Sequence, residues 1–179
     1  QSYGIRTGSG DDQIVNLGSI VATRTVGGVT SAGTAIDAGA GNDTVVLGDG
    51  SVTRGDIDLG AGTDVLLMQG SPVFEGTVVD EGSRVTLALA GSGSFGGTLP
   101  ASVIRKQGPG TFSLATLPPV QRLEVQGGTL EIGSSYRFLG EGQFAATIQG
   151  DGSYGRLHVR GQAQLGGGLR VERDAGPFV

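Results

Sequence analysis

Gly39-Ala40-Gly41-Asn42-Asp43-Thr44-Val45-Val46-Leu47 and Gly60-Ala61-Gly62-Thr63-Asp64-Val65-Leu66-Leu67-Met68 follow one pattern, a glycine-rich turn ending on Asp and then an apolar run. The two copies lie 21 residues apart, and a third, Gly8-Ser9-Gly10-Asp11-Asp12-Gln13-Ile14, precedes them by 31. A strand rises about 3.3 Å per residue, so three short strands with their turns occupy a circuit of about that length. Successive circuits then stack about 4.8 Å apart and hydrogen-bond in register, each covering the inward side chains of the next. The spacing predicts an all-β fold, a parallel β-helix, and the crossover rule favours its right-handed form. The ten additional residues between the first two copies predict a loop insertion near 20–33, in the Thr/Val/Gly-rich stretch Ile20–Gly33.

Composition agrees with this reading. Glycine supplies 36 of 179 residues without a strict every-third period, which excludes collagen. The apolar residues fall in short alternating runs rather than at 3.6 spacing, which excludes a helical bundle and argues against disorder. Beyond the third copy the same grammar continues in period-two segments. Examples are Val85-Thr86-Leu87-Ala88-Leu89, Leu123-Glu124-Val125, Leu130-Glu131-Ile132, Leu157-His158-Val159 and Leu169-Arg170-Val171-Glu172. Gly96-Gly97, Gly127-Gly128 and Gly166-Gly167-Gly168 punctuate them. At roughly 22 residues per circuit the chain makes about eight circuits, a prism roughly 40 Å long. Five of nine aromatic residues, Tyr136, Phe138, Phe144, Tyr154 and Phe178, fall in the last quarter of the chain. Large rings bury the most area, so the C-terminal end is expected to be the most stable part and to be capped.

Twelve basic residues against 17 acidic ones give a net charge of −5. The densest basic group, Arg156, Arg160, Arg170 and Arg173, is interrupted by apolar residues, so no nucleic-acid partner is expected. The absence of cysteine removes disulfides, thiolate metal sites and thiol catalysis together. It also suits a chain that crosses a membrane unfolded. No apolar run approaches the length of a membrane-spanning helix. The chain opens on Gln1 with no charged-then-apolar leader, and so reads as a mature or excised piece.

Three segments carry a family likeness. Val103-Ile104-Arg105-Lys106-Gln107-Gly108-Pro109-Gly110-Thr111-Phe112-Ser113-Leu114 resembles the passenger-associated repeat of bacterial autotransporters, K-x-G-x-G-T-L-x-L, with Phe112 in place of Leu. Leu123–Ile132 is similar to its continuation. Gly155-Arg156-Leu157-His158-Val159-Arg160-Gly161-Gln162-Ala163-Gln164-Leu165-Gly166-Gly167-Gly168-Leu169-Arg170-Val171 resembles L-x-V-x-G-x-A-x-L-G-G-x-L-x-V, the stretch before the membrane barrel in that family. The likeness covers residues 103–173; the first hundred share only general β-helix character.

The resemblance implies the C-terminal part of a type V secretion passenger, exported through the outer membrane of a Gram-negative bacterium and secreted or held at the cell surface. Its partner would be its own outer-membrane β-barrel domain, with a host surface or matrix as a further one. Residues 1–102 would be stalk circuits, and residues 103–179 an autochaperone-like region that folds first and templates the rest. The expected seed comprises Lys106, Gly108, Gly110, Phe112, Leu114, Leu157, Val159, Leu165, Leu169 and Val171. Such a segment would be a folding and presenting device rather than an enzyme, with any catalytic domain upstream of residue 1 and no cofactor.

Four sets of residues invite chemistry. Asp12, Asp43 and Asp64 occupy equivalent turn positions. The pattern resembles a calcium-binding nonapeptide without its tandem spacing, and the other reading is an Asp that hydrogen-bonds its own turn backbone. Asp43 with Asp64, or Asp56 with Asp58, would supply the carboxylates of a polysaccharide lyase or hydrolase, the competing function. His158, the only histidine, alternates between Leu157 and Val159 and is expected to face solvent. Lys106, Gly108, Pro109 and Gly110 read as a structural turn in which Gly110 takes positive φ. The Ile20–Gly33 insertion is a further candidate for adhesion, since loops carry function on rigid scaffolds.

Overall fold

In the computed structural model, residues 3–82, 84–97, 100–138, 140–164 and 166–174 are described. They form strands and turns with no helix, stacked as a parallel β-helix. One side is an eight-stranded parallel sheet. Its strands are Gln13–Asn16, Thr44–Leu47, Val65–Gln69, Thr86–Ala90, Val103–Gln107, Arg122–Val125, Gln143–Ile148 and Gly168–Arg173. Eight rungs at about 4.8 Å make a stack about 34 Å high.

Strand register fixes the circuit lengths. Thr44 pairs with Val65, and Val65 with Thr86, and each step equals the 21 residues from Asp43 to Asp64. Gln13 pairs with Thr44, a step equal to the 31 residues from Asp12 to Asp43. The difference is an antiparallel hairpin, Thr23–Val26 against Val29–Ala32, turned by Gly27 and Gly28, both at positive φ. The hairpin leaves and rejoins the solenoid at one point, where the Gly33 amide donates to the Ala22 carbonyl at 2.9 Å. Both its strands are exposed. The hairpin therefore protrudes from the solenoid as one unit.

The cross-section changes along the stack. The early circuits have two further sides: Tyr3–Arg6, Thr34–Asp37, Asp56–Asp58 and Val78–Val79 on one, and Ser19–Val21, Val52–Arg54 and Val73–Glu75 on the other. From residue 93 the second side continues as Gly93–Phe95, Thr111–Leu114, Thr129–Ile132 and Arg156–Val159. The Phe74 and Phe95 rings stack across the change, 5.0 Å apart and 7° from parallel. The eight-stranded sheet runs through residue 102 without a break, because Thr86–Ala90 pairs along its full length with Val103–Gln107.

The core is built from ladders of inward side chains. One column runs Ile14, Val45, Leu66, Leu87, Ile104, Leu123, Phe144, Leu169. Its neighbour runs Asn16, Leu47, Met68, Leu89, Lys106, Val125, Ala146, Val171. Leu66, Leu87, Ile104 and Leu123 are fully buried, each contributing about 1.5–3 kcal/mol. Leu169 and Val171 hold inward positions on the last described rung and are 71% and 62% exposed, since among the described residues each has a paired neighbour on one side only. Burial therefore peaks in the middle circuits and falls over the last one, although Tyr136, Phe138 and Phe144 cluster just before it. The expected cap would include Phe178, which lies outside the described residues.

Candidate functional site

The three G-x-G-x-D turns stack directly on one another. Gly39 and Gly60 sit at φ +92° and +74°, and a Cβ on Gly60 would lie 1.6 Å from the Gly39 carbonyl oxygen. At these two positions the corner is closed to every side chain, which explains the glycine there, whereas Gly8 at the end of the stack has open space around it.

The carboxylates after these glycines form a ladder between circuits. Asp43 Oδ1 accepts the Asp12 amide at 2.8 Å, and Asp64 Oδ1 accepts the Asp43 amide at 2.8 Å. A second column runs the opposite way: Asp11 Oδ1 accepts the Asn42 amide at 2.7 Å, and Asn42 Oδ1 accepts the Thr63 amide at 3.1 Å. Each side chain binds the backbone of the adjacent circuit rather than that of its own turn. Asp43 and Asp64 are buried, and their Oδ2 atoms have no hydrogen-bond partner. Burial pushes the Asp64 carboxyl above the ordinary range, the Asp43 and Asp80 charges add to this, and the hydrogen bond from the Asp43 amide opposes it. Asp12 is only partly buried, and among the described residues no group of three or more His, Cys, Asp or Glu side chains gathers to hold a metal ion. Asp56 Oδ1 accepts the Thr77 amide at 2.9 Å, and Asp58 Oδ1 accepts the Gly60 amide at 3.1 Å. Burial raises the Asp58 carboxyl as well.

Lys106 lies inside the core, in the column that holds Met68, Leu89 and Val125 on other rungs. Its ammonium donates to the carbonyls of Gln107 at 2.8 Å, Gly108 at 2.9 Å and Gly127 at 3.4 Å. All three protons thus find acceptors, and desolvation lowers its pKa. Gly108 and Gly110 take φ +66° and +87°, as the turn reading requires of Gly110.

The motif-bearing strands fall on consecutive rungs of the second side. Thr111, Phe112, Ser113 and Leu114 pair with Thr129, Leu130, Glu131 and Ile132, which pair with Arg156, Leu157, His158 and Val159. Of the expected seed, Lys106, Phe112 and Leu114 are fully buried, and Leu157 and Val159 are partly buried against the core. Leu169 and Val171 are exposed, and Leu165 lies outside the described residues.

His158 faces outward and its Nδ1 lies 3.2 Å from Glu131 Oε2. Glu131 also takes the Arg160 guanidinium at 2.9 Å and the Ser113 hydroxyl at 3.2 Å, contacts led by Arg160 that hold its pKa below the usual value. Ser113, Glu131 and His158 share one column, but the acid sits between hydroxyl and imidazole. A nucleophilic triad needs the imidazole in the middle.

Sequence reasoning missed one concave feature. A groove of about 810 Å³ opens where residues 149–154 overhang the glycine corners at 108–110 and 127–128. Its makers were visible only as separate turns, because the circuit length that brings them together is not written in any one of them.

Comparison of the chain with protein-family models, with curated proteins and with solved structures found no match.

Proposed function

We propose that this chain is a stalk and folding-seed segment of a secreted or surface-held β-helix protein, of the kind that autotransporter passengers represent. The observation that supports the reading is the register of the motif-bearing strands. Strands Thr111–Leu114, Thr129–Ile132 and Arg156–Val159 of the three segments that resemble the family pair residue by residue, next to a lysine whose three ammonium protons all reach carbonyls. In a solenoid, stability is a sum of circuit and interface terms, so a well-packed section can nucleate its neighbours. Nucleation on a preformed edge also avoids the closure cost that slows parallel pairing.

The full burial of Lys106, Phe112 and Leu114, with Leu157 and Val159 packed against the core, supports a nucleus within residues 103–179. The role is to be exported through an outer membrane, to fold progressively outside, and to hold an adhesive or effector region away from the surface. No helix of the described residues is long and apolar enough to cross a membrane. The partner barrel would be a separate domain.

Pulse-labelled hydrogen exchange during refolding of the whole chain tests the nucleus. Amides of Ile104, Phe112, Leu123 and Leu130 should gain protection before those of Val45 and Leu66. Earlier protection at Val45 and Leu66 would sink the seed assignment. Surface labelling of intact Gram-negative cells making the full-length protein tests the location.

A further inference from the structure

The groove over the glycine corners has the makings of a ligand site. Its overhang is a short hairpin: the Gln149 amide donates to the Ser153 carbonyl at 2.7 Å, the Gly152 amide returns to the Gln149 carbonyl at 3.0 Å, and Ile148 bridges Tyr154 antiparallel. Asp151 Oδ1 accepts the Ser153 amide at 2.8 Å, and the Gln149 side-chain amide donates to the Gln126 carbonyl, tying the loop to the rung below. The loop exists because the circuit is long here. Ser113 pairs with Glu131, 18 residues on, whereas Glu131 pairs with His158, 27 residues on.

The polar equipment is specific. Tyr154 is 50% exposed, with the Arg156 guanidinium carbon 4.6 Å from its ring centroid and an Arg156 nitrogen donating to its hydroxyl at 3.2 Å. An aromatic ring held by a guanidinium is a pre-set stacking surface. Beneath the floor, the Lys106 ammonium holds the carbonyls of Gly108 and Gly127, both groove residues, with no carboxylate among its hydrogen-bond partners. The lining itself carries one charge of each sign, Arg156 and Asp151, and the fully buried Lys106 beneath the floor tips the local balance to positive in a chain whose net charge is −5. One acidic group does not make the pair that glycoside hydrolysis uses, so the groove is equipped for binding.

We propose that this groove binds a saccharide bearing anionic groups, with Tyr154 stacking on a sugar face, Arg156 pairing with the anion, and Lys106 fixing the floor and adding positive field. Stacking rewards a flat C–H face, and the excess positive charge selects a carboxylate or sulfate substituent over a neutral sugar. The inference stands independently of where the chain is exported.

Amide chemical-shift titration of the whole chain with hexagalacturonate, a heparin hexasaccharide and maltohexaose tests it. At least one anionic hexamer should shift residues 108–110, 127–128 and 149–156, and maltohexaose should bind several-fold more weakly. The arm that binds more tightly identifies the anion as carboxylate or sulfate. Tyr154→Ala should weaken the anionic ligand about 3–10-fold, and Arg156→Gln should reduce the salt dependence of binding. Both sites are exposed, so unchanged melting keeps these variants interpretable. The proposal is overturned if neither anionic hexamer shifts these residues at about 5 mM. Equal binding of maltohexaose, or shifts confined to another face, would overturn it equally.

Discussion

Lys106 and Asp64 pose one question from opposite signs, what a buried charge does inside a stacked core. Lys106→Met places in the column the residue that Met68 already represents, and strips three carbonyls of their donor. We expect a loss of about 1–3 kcal/mol, read from the urea midpoint, because unsatisfied carbonyls outweigh the relief of desolvation. A more stable variant would show that desolvating the ammonium is the larger cost. Asp64 is governed by linkage. Its folded pKa is raised above 3.8, so the folded state holds the proton more tightly than the unfolded chain. Its contribution is therefore most favourable below the unfolded value and is lost as pH rises through the folded one. Asp64→Asn keeps the Oδ1 acceptor for the Asp43 amide and removes the titration. The variant should show a smaller loss of stability than the parent between about pH 4 and 7, measured by denaturant midpoints at both pH values.

Among the elements, the hairpin Thr23–Val26 and Val29–Ala32 is the most separable. Its ends meet where Gly33 donates to Ala22, its strands are exposed, and its removal restores the 21-residue step of the next two rungs. Deleting residues 23–32 should shift the melting temperature by no more than a few degrees and leave the Val45 and Leu66 amides protected. A collapse of protection there would mean that the hairpin braces the early circuits. This element was legible in the sequence because the spacing between the first two copies of one motif exceeds the next spacing by ten residues. The turns were legible for a related reason: Gly39 and Gly60 occupy a corner that excludes every Cβ, so the requirement is local and leaves a residue-level mark. Lys106 was harder to read. A charged residue at an inward position contradicts period-two alternation, and only the neighbouring circuit shows that Gly127 supplies an acceptor. The direction of the Asp43 and Asp64 hydrogen bonds was hidden likewise, since their partners lie 31 and 21 residues away. The groove depends on three turns and on unequal circuits, so no single segment announces it.

For the whole molecule, the last described rung matters most. Leu169 and Val171 stand in line with core columns, and among the described residues their strand pairs on one side only, leaving its other edge without a described neighbour. Such an edge is a template for another strand. Changing both to Lys should reduce self-association at high concentration, seen by light scattering, with a small change in melting because neither side chain is buried. An unchanged scattering profile would mean that the edge is already protected. The stacking has a mechanical corollary. Load applied along the long axis meets the inter-rung hydrogen bonds end-on, so rungs would open one after another instead of shearing together. Each opening of a 21-residue circuit releases about 70 Å of contour length, so the prism would behave as a series of small fuses that dissipate a pull in instalments, and the 31-residue first step would be the longest tooth in the record among the described rungs.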